Sequence, residues 1–169
     1  MGCGAAGLRA LDSEHEIVGL DSRPQPGYPG PEGSFVVGDA RDMPFRDGEF
    51  DVVYCNSLIE HLEAEDRARL AAEIRRVAGR WLVQTPNRWF PVEPHVLLPG
   101  YQFLPRPLQR RLARFGASGG YEEIRLLGAG EMRRLFPDAV IVRERVGPLT
   151  KSLIALGPRE RVRDPRVRP

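Results

Sequence analysis

Short apolar runs recur along the chain, set apart by polar and glycine-rich stretches. EIVGLD (16–21) and SFVVGD (34–39) each carry three large apolar residues and close on an acid. FDVVYCN (50–56) is rich in Val and closes on a polar residue, and RWLVQTP (80–86) is stopped by Pro86. Runs of this length bounded by turn residues predict buried strands. AVIVRERV (139–146) alternates apolar and polar positions, which predicts a half-exposed strand, and KSLIALG (151–157) predicts a last short one. Residues 147–150 are too few for a parallel crossover, so this final pair is expected to be antiparallel.

Helical spacing falls between these runs. Residues 64–78 give the strongest pattern: Leu70, Ile74 and Val77 share a face, Glu65 lies four before Arg69, and Gly79 is placed to cap the end. Shorter helices are expected over 5–11, on an opening glycine turn, and over 130–136, ended by Pro137. Strands alternating with helices predict an α/β fold, a doubly wound and mostly parallel sheet. The rhythm breaks over 86–128, where Pro, Gly and aromatics crowd. That stretch is too long for a plain connection and reads as an insertion or lid within one domain spanning 1–157, with helix over 106–115. The Arg-rich residues 158–169 lack apolar periodicity and are expected to form a disordered tail.

Composition narrows the class. The 169 residues are 41% hydrophobic and 28% charged with a net charge of +2, as in ordinary globular domains. The basic residues are 24 Arg and the single Lys151, dispersed among 23 acids, so no nucleic-acid partner is expected. Cys3 and Cys55 match no metal spacing and form no disulfide framework; they read as packed, reduced thiols. No apolar run reaches a membrane span's length and no signal-peptide pattern opens the chain, which together predict a cytoplasmic protein.

The chemistry is expected at the carboxyl ends of the strands, where parallel sheets bind ligands. Gly2, Gly4 and Gly7 form a GxGxxG turn, and Asp21 ends the next strand 19 residues after Gly2. That spacing suits a carboxylate accepting from a ribose diol, in a dinucleotide or another adenosine ligand. An acid that merely caps a helix is the plainer alternative. Asp39 ends the following strand, and Asn56 and Ser57 follow the third.

The segment VVGDARDMPFRDGEFDVVYCNSLIEHL resembles the middle of class I S-adenosylmethionine-dependent methyltransferases, most closely their type 11 subgroup, which includes quinone-biosynthesis enzymes. The resemblance extends from Gly2 to about Gly157 and is weakest over 87–128. It implies a Rossmann-like sheet of order 3-2-1-4-5-7-6, with strand 7 antiparallel, and S-adenosylmethionine as cofactor. Gly2 and Gly4 would pack under its methionine and ribose. Asp21 would bind the ribose hydroxyls, with Ser22 beside the adenine. Asp39 would accept from the adenine amine, the Ala40 N–H would face a ring nitrogen, and Met43 would line the apolar slot. Asn56 and Ser57 would border the methionine end.

Methyl transfer needs a general base only where the acceptor must lose a proton. His61, after the third strand, and His95, in the insertion with Glu93 nearby, are the candidates, with Tyr101 and Tyr121 as further polar-tipped side chains. Glu93 and His95 alone do not make a metal site. The aromatics Trp89, Phe90, Tyr101, Phe103 and Tyr121 suit a small, apolar or lipid-like acceptor. Two rival readings stand beside this one. An NAD-dependent oxidoreductase shares the glycine turn and Asp21 but leaves the Gly38–Phe45 stretch unexplained. A non-catalytic methyltransferase-like chain is the other, because the resemblance implies a central first strand ending in an acid before the glycine turn, and only Met1 precedes Gly2 here. The expectation is that this strand is lacking and that upstream in-frame codons encode it.

Overall fold

The computed structural model describes residues 16–25, 34–92, 98–113 and 124–159. The glycine turn, the expected helix over 5–11 and residues 160–169 lie outside the described residues. Two parallel strands, β1 (Gly19–Asp21) and β2 (Phe35–Val37), form one small sheet. They are shorter than the apolar runs that predict them, because each is paired only over three positions, Gly19 with Phe35 through Asp21 with Val37.

A second sheet holds β3 (Phe50–Asn56), β4 (Ala78–Pro86), β5 (Val140–Val146) and β6 (Leu149–Gly157) in the order β3-β4-β6-β5. β3 and β4 are parallel, and β6 runs antiparallel to both its neighbours, as the short link after β5 requires. The two observed orders, β2-β1 and β3-β4-β6-β5, reproduce the 3-2 and 4-5-7-6 portions of the expected sheet. The fold is α/β and Rossmann-like, with its last strand antiparallel. Among the described residues no backbone ladder joins β1 to β3.

Helix α1 (Ala64–Val77) follows β3, and its predicted face is real: Leu70, Ile74 and Val77 are each 0% exposed. The expected cap is not. Gly79 lies inside β4, because Ala78 is already extended and pairs with Phe50, so helix passes straight into strand. One orphan carbonyl of the last turn, that of Arg76, instead accepts the Gly48 N–H at 2.8 Å. The expected Glu65–Arg69 pair is also replaced, Arg69 approaching Asp66 at 3.8 Å.

Strand register puts Val53, Trp81 and Gly157 in one row and Cys55, Val83 and Ala155 in the next. These rows are buried beneath α1 and the helix α3 (Ala129–Leu135), which contributes Met132. Phe136, just beyond it, is also fully buried. Helix α2 (Arg106–Ala113) and the single turn Tyr101–Phe103 before it form a satellite unit with its own small core of Tyr101, Leu98, Leu104 and Leu112. Gln109 closes that unit, donating from Nε2 to the Tyr101 and Leu104 carbonyls at 3.2 and 2.9 Å.

Candidate functional site

Asp21 stands at the carboxyl end of β1, half-buried, and its Oδ1 accepts the Arg23 N–H at 3.1 Å. The Gly38 N–H donates to the Asp21 carbonyl at 2.9 Å. That bond ties the end of β1 to the turn carrying Asp39, Ala40 and Met43. The approach at Gly38 is close: a Cβ would stand 3.0 Å from Leu20 Cδ1 and 3.4 Å from Pro44, so a larger residue would displace the Leu20 side chain. Ser22 is exposed beside Asp21.

Asp39 is exposed and strongly engaged. Arg41 donates from Nε and a terminal nitrogen to its two oxygens, at 2.9 and 2.6 Å, and from its backbone N–H at 2.8 Å. These bonds from Arg41 hold the Asp39 carboxyl at about 2, below the ordinary carboxylate value. Arg41 also reaches Asp66 on α1 at 2.5 Å, so the turn is fastened to the helix.

Met43 is buried in the main core, and its position is set by α1. Its N–H donates to Glu73 at 2.7 Å. Arg76, paired with Glu73 at 2.7 Å, donates to the Phe45 carbonyl at 2.7 Å and the Met43 carbonyl at 3.1 Å. The Arg76 guanidinium keeps the Glu73 carboxyl below its ordinary value. An open concavity of about 710 Å³ is lined by Met43, Pro44, Phe45, Arg46 and Glu49. It lies beside the start of β3 and shares only Met43 with the predicted site.

At the carboxyl end of β3, Asn56 is exposed and Ser57 adopts a left-handed φ of 49°. Non-glycine residues pay strain there, and such strain gathers at functional turns. Ser57 is held by its N–H to the Gln84 carbonyl at 3.1 Å and by its hydroxyl to Gln84 Oε1 at 3.2 Å. The single turn Ile59–His61 follows, with His61 half-buried and Glu60 0% exposed. Thr85 Oγ1, at the end of β4, donates to Glu60 Oε2 at 3.0 Å. Cys55 beneath them is a buried free thiol, pushed up to about 11 by burial, with the charge of Glu60 adding to the effect.

The turn is secured by a residue that sequence reading passes over. Arg67 is 4% exposed and donates to the Ile59 and Leu62 carbonyls at 3.2 and 3.0 Å, to Glu131 of α3 at 2.6 Å, and to the Arg125 carbonyl. Its signal was its place three residues before Leu70 on the apolar stripe of α1. Glu73 and Arg76 had a weaker one, their i,i+3 spacing.

Thus Asp21, Ser22, Asp39, Ala40 and Met43 come together around β1, while Asn56, Ser57 and His61 gather after β3. Gly2, Gly4, Cys3, Glu93, His95 and Tyr121 lie outside the described residues. Tyr101 faces the satellite core, its hydroxyl donating to the Gln109 carbonyl at 3.1 Å. Among the described residues no cluster of three or more His, Cys, Asp or Glu could hold a metal ion, and no helix is long and apolar enough to cross a membrane.

Comparison with known proteins bears on this arrangement. Residues 1–80 match a methyltransferase domain family. A stretch of 46 residues, 27% of the chain, is 51% identical to ajmaline N-methyltransferase of Rauvolfia serpentina, and spans only 15% of that protein's length. Among solved structures, the PH0226 protein of Pyrococcus horikoshii OT3 superposes with a TM-score of 0.59 at 21% identity, over 92% of this chain and 77% of that one. The Burkholderia thailandensis 1,6-didemethyltoxoflavin-N1-methyltransferase, solved with that molecule and S-adenosylhomocysteine bound, superposes with a TM-score of 0.51 at 14% identity, over 84% and 60% of the two chains. The matched stretch, residues 1–80, is similar to a methyltransferase domain, and the strand order of the described sheets agrees with that likeness.

Proposed function

We propose that this chain binds S-adenosylmethionine across the ends of β1 and β3 and transfers its methyl group to a small, apolar or lipid-like acceptor beneath the 86–128 segment. The observation that supports this most is the Gly38 to Asp21 bond, which joins a carboxylate, a second acidic turn and the buried Met43 at one edge. The donor set suits the cofactor. Asp21 uses one lone pair on Arg23, leaving acceptor positions for a vicinal diol. Asp39 suits it in part, since Arg41 holds both its oxygens, yet an exposed carboxylate offers about four acceptor sites.

The bound cofactor supplies an electrophilic methyl on a sulfonium. The chain's contribution is alignment: fixing that group in line with the nucleophile and excluding water. Asn56 and the constrained Ser57 border the methionine end. His61 takes the acceptor's proton where one must leave, with His95 as the alternative. Neither a metal nor a nucleic acid is assigned a part. Relatives named for ajmaline and for 1,6-didemethyltoxoflavin make a small-molecule acceptor the favoured class.

The test is thermal stabilisation by S-adenosylhomocysteine against NAD. A ligand at a hundred times its dissociation constant stabilises by about 2.7 kcal/mol, which raises the melting temperature of a chain this size by roughly 5–11 °C. Asp21→Ala should remove the shift and leave the unliganded melting temperature unchanged. A shift with NAD alone would overturn the proposal in favour of an oxidoreductase.

A further inference from the structure

The satellite unit and the Trp89 segment packed against it display apolar side chains that no core uses. Trp89 is 68% exposed and stacks on Phe103, itself 53% exposed, with ring centroids 6.1 Å apart and planes 29° from parallel. The Arg88 guanidinium lies 5.7 Å from the Trp89 ring centroid. Leu108 on α2 is 41% exposed, while Arg106, Arg110 and Arg111 of the same helix are also exposed. Hydrogen bonds tie the Trp89 segment to this unit: the Gly100 N–H donates to the Pro91 carbonyl at 2.7 Å, and the Gln102 side chain donates from Nε2 to the Phe90 carbonyl at 2.5 Å.

Charge is concentrated in the same place. The described residues 86–92 and 98–113 carry Arg88, Arg106, Arg110 and Arg111 and no acid, a balance of +4 in a chain of net +2. An exposed Trp–Phe pair, an exposed Leu and a basic helix on one segment are the features of a surface that lies in a bilayer interface. We infer that this unit docks on anionic membranes, Trp89, Phe103 and Leu108 entering the headgroup boundary and Arg88 and the α2 arginines meeting lipid phosphates. Nucleic acid fits the surface less well, because Leu108 offers nothing to a base and the Trp89 face is already shared between Phe103 and Arg88. The inference is independent of methyl transfer.

The test uses the full chain with vesicles of phosphatidylcholine alone and of phosphatidylcholine mixed with phosphatidylglycerol, at low and high salt. Co-sedimentation with the mixed vesicles is expected, weakened by salt and accompanied by a blue shift of tryptophan emission. Trp89 is the reporter, since Trp81 is 5% exposed. An arginine near an anionic surface is worth roughly fivefold in partitioning, so Arg110→Glu with Arg111→Glu should cost at least about 25-fold, and Leu108→Asp should weaken binding with the charge cluster intact. Both variants should keep the wild-type melting temperature. Equal binding to neutral vesicles, no binding at all, or full binding by the double arginine variant (which would move the attachment to the Arg-rich 158–169 region) would each overturn the inference. Tighter capture of single-stranded RNA or duplex DNA at the same salt, lost in the same variant, would replace the membrane with nucleic acid.

Discussion

Replacing Arg67 with Met isolates what fastens the turn after β3. The side chain is 5% exposed and its guanidinium serves four acceptors on three parts of the molecule. Met keeps much of the apolar stem but none of the donors. Three backbone carbonyls then lose a charged donor, and the Glu131 carboxylate loses its partner. Hydrogen bonds to charged groups contribute roughly 1.5–3 kcal/mol each, and removing one member of a buried pair costs about 3–5 kcal/mol. Glu131 is 30% exposed, so water recovers part of its loss, and an overall cost of about 3–4 kcal/mol is expected. That is a drop of roughly 6–16 °C in melting temperature. Urea denaturation followed by circular dichroism measures it. A double-mutant cycle with Glu131→Gln should show coupling of at least about 1 kcal/mol. A cost below about 1 kcal/mol for Arg67→Met, or strict additivity in the cycle, would refute the hub.

Three further outcomes follow from other sites. The Asp39 carboxyl lies near 2 in the folded protein against an ordinary 3.8, so its contribution to stability is present above about pH 4 and lost as pH falls toward 2; Asp39→Asn should flatten that part of the urea-midpoint profile, and an unchanged acid limb would mean the Arg41 pairing does not form in solution. Gly157 sits against Trp81, whose ring atoms would stand 2.2–2.4 Å from an added Cβ; Gly157→Ala should destabilise by about 1–3 kcal/mol, and a neutral result in thermal melts would show that β4 and β6 are not registered as described. The Cys55 thiol, pushed up to about 11 by burial, should resist alkylation at pH 8 until the protein is denatured; site-resolved mass spectrometry reads this, and prompt labelling of the native protein would contradict its burial.

The elements legible in the sequence were those whose pattern is local. FDVVYCN is β3 residue for residue, and the Leu70, Ile74 and Val77 face of α1 packs as its spacing predicts. The antiparallel final pair followed from loop length alone. Gly79 misled because a cap is a local signal, whereas β4 is extended from Ala78 onward by pairing with Phe50 of β3, which lies outside the reach of a helix-end pattern. In the site, the acids at the strand ends were visible from the resemblance. Their anchoring was not, because it depends on tertiary approach: Arg41 fastens Asp39 to Asp66, and Glu73 with Arg76 grips the Met43 to Phe45 turn. An arginine in an apolar stripe, as at Arg67, is the kind of local anomaly that marks such an anchor.

The placement of β6 has a consequence for how the molecule assembles. Although it follows every other described strand in sequence, β6 is inserted between β4 and β5, with Pro86 paired to Ser152 and Trp81 to Gly157. A chain emerging from the ribosome can form the β3–β4 ladder and α1 early, since these are near neighbours. The buried face of β4 stays uncovered at its second edge until Leu149–Gly157 has been synthesised. Closing across the 86–128 segment adds little to the entropy cost, which grows only as the logarithm of loop length. Completion of the sheet is therefore a late, non-local event, and the interval before it is when Trp81 and Val83 are open to the wrong partner.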